Sequence, residues 1–94
     1  MNITGFIWQE RIVQKLLWKH TVEIDEVAEL FQDRPRFYFV EKGRRKGENI
    51  YAASGRTEAG RYLICYFIYK SDRRALILSA RDMTKSERKR YGRK

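Results

Sequence analysis

Two hydrophobic periods run along this chain, and where one gives way to the other its elements can be drawn. Ile3 to Trp8 alternates, with Ile3, Gly5 and Ile7 on one side and Phe6 and Trp8 on the other, which predicts a short edge strand. From Gln9 to Lys19 the period lengthens. Ile12, Val13, Leu16 and Leu17 recur at three-to-four spacing with no Gly or Pro, which predicts an amphipathic helix closed by Lys19 and His20, whose basic character suits a helix C-terminus. A second helix is expected over Asp25 to Phe31, burying Ile24, Val27, Ala28 and Phe31. Glu23 is a weak N-cap for it, and Pro35 ends this helical part.

The middle of the chain returns to a strand period. Arg36–Glu41, Asn49–Arg56, Tyr62–Tyr69 and Ala75–Arg81 read as strands, separated by KGRRKGEN, TEAG and SDRR turns. Tyr62–Tyr69 is apolar on both faces, as a covered central strand would be. In the last strand Ser79 and Arg81 are expected on one face and Leu76, Leu78 and Ala80 on the other. Thr84 followed by Glu87 has the form of a capping box, which starts a helix carrying Lys85, Arg88, Lys89 and Arg90, with Tyr91 on the face of Arg88. The order gives an α+β fold: a small antiparallel sheet with two N-terminal helices and one C-terminal helix, in a single domain over residues 1–94.

Charge narrows the partner. Of 94 residues 21 are Lys or Arg against 12 Asp and Glu, a net charge of +9, which favours a polyanion and nucleic acid first. No apolar run is long enough to span a membrane, and the N-terminus lacks the pattern of a signal peptide, so a cytoplasmic protein without membrane contact is expected. Cys65 is alone and sits in an apolar run as core filler. His20 is also alone, so neither a metal site nor any other cofactor is expected.

Composition alone implies only a basic nucleic-acid ligand; were that ligand RNA and cleaved without metal, the chain would need a base for the 2′-hydroxyl, cationic donors for the phosphorane and an acid for the leaving oxygen. His20 is the one side chain whose ordinary pKa lies near neutrality, although it equally fits as the cap of the first helix. Arg56 and Arg81 end strands expected near each other, each with a serine two residues earlier on its face, and a planar guanidinium suits bidentate phosphate contact. Glu48 is a possible base beside Gly47, and Tyr91 a proton donor, a base-stacking surface or a packing residue. Lys19, Arg61, Arg88, Lys89 and Arg90 are expected RNA contacts, with Arg44–Lys46 and Arg93–Lys94 adding diffuse phosphate attraction. Trp8, Trp18 and the central-strand tyrosines read as core.

The chain resembles the BrnT toxins over nearly its whole length: FIW near the start, Lys19-His20 followed by Val22, VAELF, the GEN turn, Gly55-Arg56, and above all LILSARDMTKSERKRY. It departs from that pattern at Gln9, where many members have Asp, and at Asn49 and Ile50, which replace the usual arginine. The resemblance implies a RelE-like fold and a type II toxin that cleaves messenger RNA and inhibits growth. It also implies a small DNA-binding antitoxin as cognate partner, held with the toxin in a hetero-oligomer, and a role for His20 as acid or base with Lys19 beside it. The other reading is a non-catalytic RNA-binding or interaction module on the same scaffold.

Overall fold

A computed structural model describes residues 1–92, and Arg93 and Lys94 lie outside the described residues. The elements are β1 (Gly5–Ile7), α1 (Glu10–His20), α2 (Ile24–Gln32), β2 (Arg36–Glu41), β3 (Ile50–Arg56), β4 (Tyr62–Tyr69), β5 (Arg74–Asp82) and α3 (Lys85–Gly92). This is the expected α+β arrangement. The five strands lie in the order β1-β5-β4-β3-β2, with β2 to β5 a continuous antiparallel meander. The sheet is nonetheless mixed. β1 pairs in parallel with β5, Gly5 opposite Arg74 and Ile7 opposite Leu76, because the chain begins at one edge and α1 and α2 carry it across to the other.

Helices α1 and α2 cover one face of the sheet, where Ile12, Leu16, Val22, Val27 and Leu30 meet Ala53, Leu63, Cys65, Phe67, Ala75, Ile77 and Ala80. Phe31, at the end of α2, packs edge-on against Phe6 and Phe67 at 5.1 and 5.4 Å between ring centres. Gly55 lets α2 come close, since a Cβ there would stand 3.1 Å from both the Leu30 side chain and its carbonyl oxygen. Cys65 is fully buried, and burial pushes its thiol pKa up, so it packs as expected. Val13 and Leu17 do not reach this core; Leu17 is exposed, and Trp18 is 75% exposed on the solvent side of α1. The period of α1 was right, but its stripe is narrower than four residues per two turns.

A bulge corrects the last strand. Tyr66 pairs with Ser79 but Phe67 with Ile77, leaving Leu78 unopposed, so the face changes within β5. Ala75 and Ile77 therefore join Ala80 in the core, where Leu76 and Leu78 were expected. Beyond the bulge Ser79 and Arg81 do share the other face. That outer face carries Arg36, Ser54, Ile64 and Arg81 in one cross-strand row and Tyr38, Ala52, Tyr66 and Ser79 in the next. Helix α3 lies against it. Its capping box closes as predicted, with Glu87 N–H donating to Thr84 Oγ1 at 3.1 Å and Thr84 N–H to Glu87 Oε1 at 2.8 Å.

Candidate nucleic-acid interface

The arginines of this protein divide into those already neutralised and those left open. Arg61, immediately before β4, sends Nε and Nη2 to the two oxygens of Asp82 at 2.7 and 3.1 Å. Its Nη1 reaches Thr21 O at 2.7 Å and Glu26 at 3.1 Å, and Nη2 also reaches His20 O at 2.8 Å. All five of its N–H groups are then satisfied within the fold. The residue ties the end of α1, the start of α2 and the end of β5 together, and none of its donors remains for a phosphate. That removes Arg61 from the expected RNA contacts.

Arg81 is similarly held. Its Nη1 and Nη2 grip Glu87 at 2.7 and 2.9 Å, and Nη2 also donates to the Tyr66 hydroxyl at 3.1 Å. The bond from Arg81, reinforced by the Thr84 backbone, lowers the Glu87 carboxyl to about pH 2. The pair pins α3 to the sheet. A carboxyl whose folded pKa is depressed contributes stability above its ordinary pKa and loses it as pH falls toward the folded value. Docking of α3 should therefore hold at pH 5 and fail between about pH 4.5 and about pH 2, read as loss of near-ultraviolet tyrosine circular dichroism. A signal that disappears instead between pH 7 and 5 contradicts this anchor.

Glu48 lies at the other end of the sheet. It precedes β3, whereas Arg56 ends it, which separates them by about 20 Å or more of extended chain. Its Oε2 accepts from Lys70 Nζ at 2.6 Å, and that bond and charge hold its carboxyl below the usual range. Neither its place nor its acidity suits a base acting beside Arg56. His20 is also apart, on the helix-covered side of the sheet near Asp82, whose carboxyl is lowered first by the Arg61 hydrogen bond and more weakly by the charges of Arg61 and His20. Arg56 and Arg81 do share the outer face, but β4 stands between their strands. Exposed Lys19 lies on α1, away from the outer face.

What the outer face does assemble is a groove of about 460 Å³ lined by Asp33, Arg34, Arg36, Arg56, Tyr62, Arg88 and Tyr91. Sequence builds it from three places. After α2, Arg34 takes a left-handed backbone (φ 50) before Pro35, so Arg34 and Arg36 flank the turn into β2. Arg56 ends β3 directly opposite Tyr62 on β4. Arg88 and Tyr91, one helical turn apart, bring α3 over them. The Arg88 guanidinium lies 4.1 Å from the centre of the Tyr62 ring, Arg56 lies 5.3 Å from the same ring, and Arg36 lies 5.5 Å from the Tyr91 ring. Tyr62 and Tyr91 meet edge to face at 5.9 Å.

Among the described residues none of Arg34, Arg36, Arg56 and Arg88 forms an ion pair or a side-chain hydrogen bond. Four guanidiniums face one carboxylate, Asp33. Aromatic faces position Arg36, Arg56 and Arg88 without consuming their N–H donors, so the groove can take phosphate oxygens while its rings accept a base. Arg56, Arg88 and Tyr91 were expected at the site; Arg34, Arg36 and Tyr62 were not. The Arg-Pro-Arg sequence was the available signal, since a proline between two arginines fixes a turn that presents both. Lys89 and Arg90 are exposed on α3, with Arg90 beside a second outer-face cavity.

Among the described residues no cluster of three or more His, Cys, Asp or Glu side chains is placed to hold a metal ion, and no helix is long and apolar enough to cross a membrane. The family model described as "Ribonuclease toxin, BrnT, of type II toxin-antitoxin system" matches residues 8–87. No curated protein matches the chain.

Proposed function

This chain belongs to the BrnT family of type II toxin–antitoxin ribonuclease toxins, and from that premise we propose that its outer-face groove binds single-stranded RNA and cleaves it by in-line attack of the 2′-hydroxyl. The observation that carries this reading is the gathering of four arginines, unpaired among the described residues, around Tyr62 and Tyr91 in one groove, where Arg61, Arg74 and Arg81 are held in ion pairs. Arg36, Arg56 and Arg88 hold the non-bridging oxygens as negative charge grows on them in the phosphorane. Asp33, the groove's one carboxylate, takes the 2′-hydroxyl proton, and the Tyr91 phenol returns one to the leaving 5′-oxygen. The 3′ fragment leaves with a 5′-hydroxyl, and the 5′ fragment keeps the phosphate as a 2′,3′-cyclic ester.

This assignment leaves His20 outside the chemistry. Its carbonyl is part of the Arg61 clamp, and α1, which it ends, packs on the face of the sheet opposite the groove. The cognate antitoxin that a type II system implies neutralises the protein, in this proposal, by laying an acidic segment across the arginines. Protein freed of antitoxin should cleave single-stranded RNA in EDTA and leave 2′,3′-cyclic phosphate ends. Cleavage restored only by a divalent ion, or ends bearing 5′-phosphate, would overturn the mechanism. RNA bound in a salt-dependent way without any cleavage would favour the binding-module reading, because the same arginines would then act only as phosphate contacts.

A further inference from the structure

Beyond the arginine groove, on the other side of α3, the outer face holds a second cavity of about 280 Å³ whose lining includes Tyr38, Ala52, Ser54, Ile64, Tyr66 and Arg90. Tyr38, Ala52 and Tyr66 are register partners in one cross-strand row. The two tyrosines therefore stand two strands apart, about 9.6 Å between backbones, with the smallest side chain of the row between them. That leaves a slot between two aromatic residues, with Ala52 and Ser54 as its floor. From this arrangement we infer that the slot is a nucleobase subsite, which gives the RNA site of the preceding section its sequence preference.

Ser54 points to a ligand on its own. The residue is only 5% exposed and makes no side-chain hydrogen bond among the described residues, yet no fully buried polar atom is left without a partner. Its hydroxyl is therefore not sealed off from solvent, and Ser54 lines this cavity, where it can donate to or accept from a base edge. Glu87 lines the same cavity, and its Oε2 accepts only from Arg81 Nη2, so that oxygen retains a free lone pair. An apolar pocket with a few convergent polar groups between aromatic side chains is what an unstacked base requires. Charge complements it, since Arg36 precedes Tyr38 by two residues on the same face of β2 and Arg90 borders the slot. Arg36 lines the groove and Tyr38 the slot, about 6.8 Å apart along the strand, so a phosphate held by Arg36 leaves an adjoining base within reach.

The subsite rests on the RNA-binding reading but can fail separately from cleavage, so its test uses RNA that cannot be cut. Binding of 2′-O-methyl hexanucleotides of A, C and U is measured by fluorescence anisotropy at fixed salt for the parent, Ser54→Ala and Ala52→Leu. The parent should prefer one of the three by about tenfold or more over the weakest, the scale of a base stack plus one hydrogen bond. Ser54→Ala removes a hydroxyl that has no partner among the described residues, so the fold should be kept while the preference shrinks toward parity. Ala52→Leu fills the space between the tyrosines and should weaken the preferred hexamer about tenfold with the salt dependence unchanged. Equal binding of all three hexamers by the parent overturns the subsite, as does a preference that survives both substitutions. A preference found in a protein that cuts no natural RNA would sustain the subsite and refute the ribonuclease mechanism. Cleavage with no preference would do the reverse.

Discussion

Replacing Arg61 by alanine should remove about 3 kcal/mol of folding stability, the cost of losing several charge-assisted hydrogen bonds at a half-buried site. Total stability for a domain of this size is roughly 5–14 kcal/mol, so this one side chain is a large part of it. The loss has two physical sources. Asp82 and Glu26 forfeit their cation, and the carbonyls of His20 and Thr21 forfeit donors. The left-handed backbone of Thr21, at φ 51, is disfavoured for a β-branched residue, and any relaxation there on losing Arg61 offsets part of the loss. Arg61→Lys keeps the charge but has one donor group where the guanidinium has a fork, so it should recover less than half of the loss. Urea denaturation reads both. A midpoint for Arg61→Ala within experimental error of the parent would show that the clamp contributes nothing.

The largest effect on activity is expected at Arg56. Lysine there preserves positive charge but loses two parallel N–H donors, and cleavage at saturating RNA should fall by about 10² or more, the scale of one lost transition-state donor. Affinity should change little, because ground-state attraction is spread over many cations. Removing exposed Lys89 and Arg90 together should act the other way, weakening binding and flattening its salt dependence with the rate at saturation kept. If Arg56→Lys instead raised the RNA concentration needed and left the maximal rate alone, Arg56 would be a binding contact only.

Much of this fold is written in local patterns. The two helices, the four meander strands and the Thr84–Glu87 box each follow from spacing or cap chemistry within about ten residues, which is the range over which such signals act. What escaped is set by longer-range pairing. The parallel seat of β1 depends on which edge it meets, and the shift of faces in β5 depends on a bulge at Leu78 that only the partner strand defines. The same distinction separates the site residues. Arg56, Arg88 and Tyr91, which line the proposed groove, were legible as candidates because strand ends and helix faces are local properties. Whether an arginine is open or satisfied is not: Arg61 finds Asp82 21 residues away and Glu26 35 residues away, while Arg36 finds only the face of a tyrosine. Lys70 likewise takes Glu48 out of consideration from across a hairpin.

Placing the chemistry on the outer face, rather than beside His20, is the central claim, and single-turnover cleavage at saturating RNA compares the two locations directly. Arg56→Lys and His20→Ala are measured beside the parent in EDTA, each first shown to unfold cooperatively in urea. The account predicts a fall of about 10² for Arg56→Lys and a His20→Ala rate within about threefold of the parent, since removing the ring leaves the carbonyl that Arg61 uses. A His20→Ala protein that folds but does not cleave, beside an Arg56→Lys protein that cleaves at the parental rate, would contradict it and move the active site to the opposite face of the sheet.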